Sequence, residues 1–421
     1  MKIFPIVLDC RYSWPLFAKI TGLQKPFPAN AHVFIRAVAR IADETKDTMK
    51  ILVIPTTDWI RHPVPNRLNF IFDTLAEQHD VYVLHFGLKR FSRLEPRETK
   101  CKLLKADWIA ASDPSLYYIL NFPYHLWKIR SIARSYDIDV ILSTNILPSF
   151  AANFAGAPVV FDYLDHLEES ASIYYPGSAL GEVVKWAVSK VTRYNLHSAR
   201  CVITVTAELS EFLRELGVKD VTVIANGVDT EVLRPMPIEM AKKALGLSGT
   251  VLGYVGSLEH WVDLETVISA LPKIDATLLV VGPGLFTDYA DEIKKLAEDV
   301  GVNERIVFTG AVKYAELSRY ISAMDIGLNP LKMMKKNEYA AGGKVFNYLA
   351  CGRPVLSSRM ISLERLLGDE IYYYDDVESF VMQVKRILNT GYDGRRCRNL
   401  AEKYDWRKIA HKYEKVLKGS I

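Results

Sequence analysis

Residues 49–59, MKILVIPTTDW, begin with a short basic start and then run apolar without a break, as a strand buried on both faces of a parallel sheet does. Forward from it, residues 65–80 (PNRLNFIFDTLAEQHD) place Leu68, Phe72 and Leu75 at helical spacing, and residues 81–88 (VYVLHFGL) form a second β-rich run. Together these make one strand-helix-strand unit. Further apolar runs at 139–146, 158–164, 201–208 and 221–229 alternate with helical stretches at 123–136 and 208–217, the pattern of a parallel sheet covered by helices. Backward from Met49 the text is different. Residues 1–48 mix composition and prolines around one weak helical pattern at 31–42, and read as an N-terminal extension.

The first domain then spans 49–234. Pro235 and Pro237 punctuate the chain, and a short helix, IEMAKKALGL (238–247), follows before the next strand. From there the alternation repeats: VLGYVGSL (251–258), a helix over 264–271, TLLVVGPG (277–284), a helix over 289–300, RIVFTGAV (305–312), a helix over 314–323, IGLNPL (326–331), a helix over 344–350 and PVLSS (354–358). The expected fold is α/β, with two doubly wound, Rossmann-like domains (49–234 and 235–400) facing across a cleft and a final segment at 401–421. Parallel sheets bind ligands at the carboxyl ends of their strands, so such a cleft suits a two-substrate enzyme.

Composition narrows the function. With 421 residues, 49% hydrophobic and 24% charged, the chain is an ordinary globular one of two-domain length. A net charge of +4 gives no case for nucleic-acid binding. The five cysteines, Cys10, Cys101, Cys201, Cys351 and Cys397, stand singly, which fits reduced thiols in the cytoplasm better than disulfides or a metal site. No apolar run reaches the roughly 20 residues of a membrane span, and Asp9 and Arg11 sit where a signal peptide needs apolar residues.

The strongest chemical stretch is KVFNYLACGRPV (344–355), a helix stopped by Gly352 and followed by Pro354 and a strand. It places Lys344 in a first helical turn, where backbone amides and an ammonium suit a phosphate without any metal. Gly253 and Gly256 end one strand, and Gly282, Pro283 and Gly284 end another, letting backbone approach a ligand or simply making a tight turn.

The order VIANGVDTEVLRP (223–235), GYVGSL, LLVVGPG, RIVFTGAV, MDIGLNPL and KVFNYLACGRPV resembles the second domain of glycosyltransferase family 4, a GT-B family of mostly retaining enzymes. The terminal YDWRKIAHKYEKVL (404–417) resembles that family's closing helix, which crosses back to the first domain. The resemblance covers about 49–417, specifically in the second half and loosely in the first. It implies a UDP- or GDP-linked sugar as donor, with Gly256 and Ser257 facing the diphosphate, Lys344 neutralising it, Gly282 and Gly284 shaping the nucleotide pocket, and Glu364 near the donor. Asn347 stands where the family has a glutamate reading the ribose. Ser257 and the pair His260–Trp261 replace an expected arginine and lysine, so Lys332 or Arg359 is expected to share the charge with Lys344. In the first domain FDYLDHLEES (161–170) offers Asp165 and His166 as catalytic candidates touching the transferred sugar, while Asp162 and Glu168 read equally as a helix-start acidic cluster. His62 is the acceptor-side candidate, or a surface histidine.

Residues 89–134 carry ten Lys/Arg against four Asp/Glu among aromatics, a pattern for peripheral membrane contact at the inner face of the cell membrane or for a solvated face over core aromatics. The expectation is a glycosyltransferase using a nucleotide sugar and a glycan or lipid-linked acceptor. A nucleotide-sugar epimerase of the same fold and a non-catalytic partner protein are the alternatives. A nicotinamide dehydrogenase lacks its GxGxxG.

Overall fold

The computed structural model describes residues 48–421 apart from 112, 166, 168–178, 285–286, 335–336, 338 and 341. The extension at 1–48, with its helical pattern at 31–42, lies outside the described residues but for Thr48.

Seven parallel strands form the first sheet: β1 (Lys50–Ile54), β2 (Asp80–His85), β3 (Lys102–Lys105), β4 (Val140–Ser143), β5 (Val159–Asp162), β6 (Cys201–Thr204) and β7 (Val221–Val223), in the order 3-2-1-4-5-6-7. The chain winds one way from β1 to β3, then returns to β4 and runs the other way. With right-handed crossovers, that reversal puts helix α1 (Arg67–Leu75) on one face. Helices α2 (Pro114–Ser135), α3 (Leu147–Ala152), α4 (Ala179–Ser198) and α5 (Ala207–Glu215) fall on the other. The strand period of two divides β1 accordingly: Ile51 and Val53 pack with Leu68 and Phe72 of α1, and Leu52 and Ile54 with Tyr117 and Ile129 of α2.

The second sheet has six parallel strands, β8 (Val251–Val255), β9 (Thr277–Val281), β10 (Ile306–Gly310), β11 (Ile326–Asn329), β12 (Val355–Ser358) and β13 (Tyr372–Tyr374), in the order 10-9-8-11-12-13. Around it run α6 (Ile238–Leu245), α7 (Leu264–Ala270), α8 (Tyr289–Asp299), α9 (Leu317–Ser322), α10 (Gly343–Ala350), α11 (Ile361–Leu367), α12 (Val377–Thr390) and α13 (Gly394–Glu402). Strand order reverses at β1/β4 in one sheet and at β8/β11 in the other. Those switch points are where doubly wound sheets open a crevice.

The last helix, α14 (Trp406–Ser420), returns to the first sheet and packs on α1. Trp406 stacks on Phe70 at 5.8 Å, and the guanidinium of Arg67 donates to the Tyr413 hydroxyl. Gly227 admits this crossing, since a Cβ there would meet the Tyr404 carbonyl and lie 3.0 Å from the Trp406 ring.

Several elements depart from the sequence reading. The helix expected from Pro123 starts nine residues earlier at Pro114, capped by Asp113, and keeps Pro123 inside. The run at 221–229 gives only a three-residue strand. Strands β3 and β13 and helix α4 carried no signal strong enough to name them. No helix among the described residues is long and apolar enough to cross a membrane, and Cys101, Cys201, Cys351 and Cys397 are free.

Candidate active site

At the switch point of the second sheet, two strand ends are pressed together by glycines. Gly256, just after β8, has φ 150° and donates its amide to Val281 O at 2.9 Å. A side chain there would stand 2.8 Å from the Tyr254 hydroxyl and 3.3 Å from Lys344 Cε. Gly282, just after β9, has φ 134°, and a Cβ would overlap the Gly256 carbonyl, 2.9 Å from its carbon. The atoms that a Cβ on Gly282 would meet are backbone and cannot step aside. Gly284 differs: its φ is ordinary, and a Cβ would meet only Ala290 Cβ at 3.2 Å. Beneath this floor the buried Tyr254 donates to Ser257 O at 2.7 Å, which fixes the turn.

Helix α10 rises beside the floor. Gly342 caps it in the left-handed region (φ 49°) with no side-chain hydrogen bond to its first amides, so the positive helix end stays open. Lys344 lies in that first turn with Nζ 4.7 Å from the centre of the Tyr254 ring and 3.5 Å from its hydroxyl. The residue is half-buried, and burial alone pulls its pKa down to about 8. Among the described residues no carboxylate pairs with it. An ammonium held without a counter-ion beside open amides is a place that favours an anion.

Two other cations near the groove have carboxylate partners. Lys332 pairs with Glu265 at 2.6 Å, and Arg359 grips Asp375 at 2.9 Å and Glu364 at 2.5 Å. Lys332 and Arg359, expected to share the charge with Lys344, thus each have a carboxylate partner in this structure. Glu364 sits in α11 as the partner of Arg359, and its neighbour Leu363 borders the α10 start, 3.2 Å from a Cβ on Gly342. Asn347 follows Lys344 by one turn and is half-buried. His260, on the rim, lies 3.1 Å from Asp288 and 3.5 Å from Glu292.

Across the groove, the nearest atom to a Cβ on Gly343 is Asn226 Nδ2 at 3.8 Å, from the loop after β7. Arg67 of α1 holds that loop, donating to Asn226 Oδ1 at 3.0 Å and to Ile224 O at 3.1 Å. Its Nε lies 3.8 Å from Asp162, which ends β5. Burial raises the Asp162 pKa against the pull of Arg67 and of the Tyr413 hydroxyl. Nothing in the sequence couples these residues, since their partners are 95 to 346 positions away only in the fold; Arg67 to Tyr413 is the longest step, 346 residues.

Asp165 is half-buried three residues beyond β5. His166 and Glu168 lie outside the described residues. His62 has local partners: its Nδ1 is 2.7 Å from Val64 O, Phe91 meets its ring edge-on at 5.2 Å, and burial lowers its pKa. A polar pair the sequence did not flag stands nearby at the same sheet edge. Asp58 accepts the Ile60 and Arg61 amides, keeps Oδ2 unpartnered, and lies 3.9 Å from His85 Nδ1.

Comparison with known proteins gives concordant matches. Residues 71–232 match the family model described as Glycosyltransferase Family 4, and residues 249–390 that described as Glycosyl transferases group 1. The 2-deoxystreptamine glucosyltransferase of Streptomyces kanamyceticus is 29% identical over 49% of this chain and 54% of its own length, and the chain spans about half the length of the relatives it matches. Among solved structures, sucrose-phosphate synthase from Thermosynechococcus elongatus superposes with TM-score 0.68 at 16% identity, covering 88% of this chain and 98% of that one. HepE of Anabaena, in complex with UDP and glucose, gives 0.66 at 18%, covering 88% and 99%.

Proposed function

We propose that this chain, which belongs to the family 4 and group 1 glycosyltransferases of GT-B fold, transfers a sugar from a UDP- or GDP-linked donor to a hydroxyl of a glycan or lipid-linked acceptor. The observation that carries this reading is Lys344, an ammonium with no carboxylate partner among the described residues, at the start of α10 beside the Gly256–Gly282 floor. As the bond from sugar to phosphate breaks, negative charge grows on the departing diphosphate. Lys344 and the first amides of α10 meet that charge with groups already in place and already desolvated, where electrostatic stabilisation is strongest. No metal is assigned a part.

Gly256 and Ser257 face the diphosphate in this reading, Gly282 and Gly284 shape the nucleotide pocket, Asn347 serves the ribose and Glu364 borders the donor. Asp165 and His166 contact the transferred sugar, and His62 lines the acceptor side. Retention follows the family resemblance, with the acceptor proton passing to the leaving phosphate. The binding of UDP and glucose by the HepE fold relative supports a nucleotide-sugar donor. The assigned place is the cytoplasmic face of a membrane.

Thermal shift with UDP, GDP and their sugars tests the reading. A ligand at a hundred times its Kd stabilises by about 2.7 kcal/mol, and Lys344→Ala should cut that shift by about half or more. A chain that no nucleotide stabilises is not a nucleotide-sugar transferase. The pairing of Lys332 and Arg359 with carboxylates favours one second reading, a degenerate, non-catalytic partner protein of the same fold. It predicts no stabilisation by any of these nucleotides and no donor consumed.

A further inference from the structure

Of the residues 89–134 singled out for charge and aromatics, the fold takes back half. Lys100 and Lys102 pair with Glu77 and Asp80, Arg97 donates into the 59–62 loop, and Phe91 and Tyr117 are core. What remains outside is the solvent face of α2. Leu116, Ile119, Leu120, Pro123 and Trp127 repeat at helical spacing, and Arg130 and Arg134 continue the same stripe. The opposite stripe, Tyr117, Asn121, His125 and Ile129, is buried in the domain. The helix is thus apolar on two sides, and among the described residues only one of them has a partner.

The neighbouring helices repeat this. On α4, Val183, Trp186, Lys190 and Tyr194 point outward at the same spacing. A row of rings ties the helices side by side: Phe122 of α2 lies 6.1 Å from Phe150 of α3, which lies 4.9 Å from Tyr194 of α4. Trp108 joins the α2 stripe through Tyr124, at 6.4 Å. Trp108, Trp127 and Trp186 are 67%, 61% and 64% exposed, a cost in water that no monomeric soluble surface needs to bear. Helices α2, α3 and α4 together carry six Lys/Arg, three each from α2 and α4, against the single acid Glu182.

We infer that the outward faces of α2 and α4 form one docking plane for an anionic lipid bilayer. Tryptophan and tyrosine suit the layer between headgroup and acyl chain, where one end of the ring is apolar and the other wet. The arginines toward the end of α2 complement acidic headgroups, and the near absence of acids removes the repulsion. Helix α2 begins at the carboxyl edge of the sheet, after β3, so its apolar half lies toward the cleft. Docking therefore brings the cleft mouth to the lipid surface, where a lipid-linked hydroxyl would be presented. This purpose rests on the proposed transfer, but the docking does not.

Flotation with vesicles of phosphatidylglycerol and phosphatidylcholine reads it without turnover. The full chain is expected to float with the mixed vesicles at low salt and not with phosphatidylcholine alone. Leu116→Ser/Ile119→Ser/Trp127→Ser should cut the bound fraction at least about tenfold, and Arg130→Gln/Arg134→Gln roughly tenfold at low salt only. Both variants should keep the full nucleotide stabilisation, whereas Lys344→Ala should weaken it and still float, so failure of docking and failure of transfer are told apart. Should the triple variant not fold, brominated acyl chains quenching the tryptophans of the unaltered chain give the same answer. A chain that stays at the bottom with anionic vesicles, a triple variant that floats as well as its parent, or self-association abolished by these substitutions without flotation overturns the inference.

Discussion

The two walls of the groove are made of different materials. On the second half the floor is backbone, Gly256 against Gly282 with α10 opening beside them, and among the described residues one side chain, Lys344, supplies charge there. On the first half the corresponding region is a lattice of side chains, the buried Arg67, Asp162 and Tyr413 and the half-buried Asn226, gathered from α1, β5, α14 and the loop after β7. A wall of backbone tolerates almost no substitution at its contact points but asks little of distant sequence. A wall of side chains depends on partners far along the chain.

The largest effect should come from the backbone wall. Gly282→Ala forces a Cβ into the Gly256 carbonyl at a φ that alanine resists, and relief requires moving one strand end off the other. A loss of about 4 kcal/mol in urea unfolding is expected, with loss of nucleotide binding. Gly284→Ala, which meets only a methyl group at 3.2 Å, should cost under about 1 kcal/mol. If the two variants unfold alike, the floor is not the rigid element described here.

On the side-chain wall, Arg67→Ala removes the cation beside Asp162 and releases the Asn226 and Tyr413 contacts. Breaking a buried charge pair by deleting one partner costs about 3 kcal/mol, and the midpoint of chemical denaturation should shift by that much. Asp162→Asn in the same background should restore part of the loss, since it removes the carboxylate left behind. No recovery would show that the Arg67 contacts to Ile224 and Asn226, and not the ion pair, hold the wall together.

These differences explain what the sequence disclosed. The strand-helix alternation, the glycine-ended strands and the position of Lys344 are local: each is set by residues within a turn or a strand of one another, so reading them needs no knowledge of the fold. The same locality kept α10 within one residue of its expected start. By contrast, the pairing of Lys332 with Glu265 and of Arg359 with Glu364 and Asp375 is decided by packing, and the lone-cation character of Lys344 followed only from it. Asp58 and His85 meet across two strand ends, and neither belongs to a motif. Strand β3, KLLK, is too short and too charged at its ends to stand out, and it forms because β2 offers it an edge.

Lys344 permits a sharper test, because its charge is in tension with its surroundings. Lys344→Ala should lower kcat/KM for the donor roughly tenfold to a hundredfold, the scale of a charge-assisted contact to phosphate. Its pH dependence has a distinctive sign. The folded, ligand-free pKa of about 8 lies below the unfolded value, so above pH 8 the folded state has released a proton that the unfolded state still binds. Stability of the ligand-free protein from this group therefore rises between pH 8 and the usual lysine range, while donor affinity falls over the same span as the ammonium is lost. Lys344→Met should flatten both trends. Affinity that stays constant from pH 7 to 9.5 would mean that the diphosphate does not rest on this lysine.

The smallest effects should belong to the cations already spoken for. Lys332 sits 2.6 Å from Glu265 and 4.9 Å from the centre of the Tyr289 ring, partly open to solvent, so Lys332→Ala should cost no more than about 1 kcal/mol of stability. Donor kcat/KM should change by less than about threefold, because a lysine drawn toward a carboxylate would have to give up that partner to reach a phosphate, gaining only the difference between two ion pairs. Arg359→Ala should behave likewise, with two carboxylates in place of one. Steady-state kinetics on the pair decide the matter: a tenfold loss in either variant would show that the cation changes partners when the donor arrives, and that the second wall recruits side chains after all.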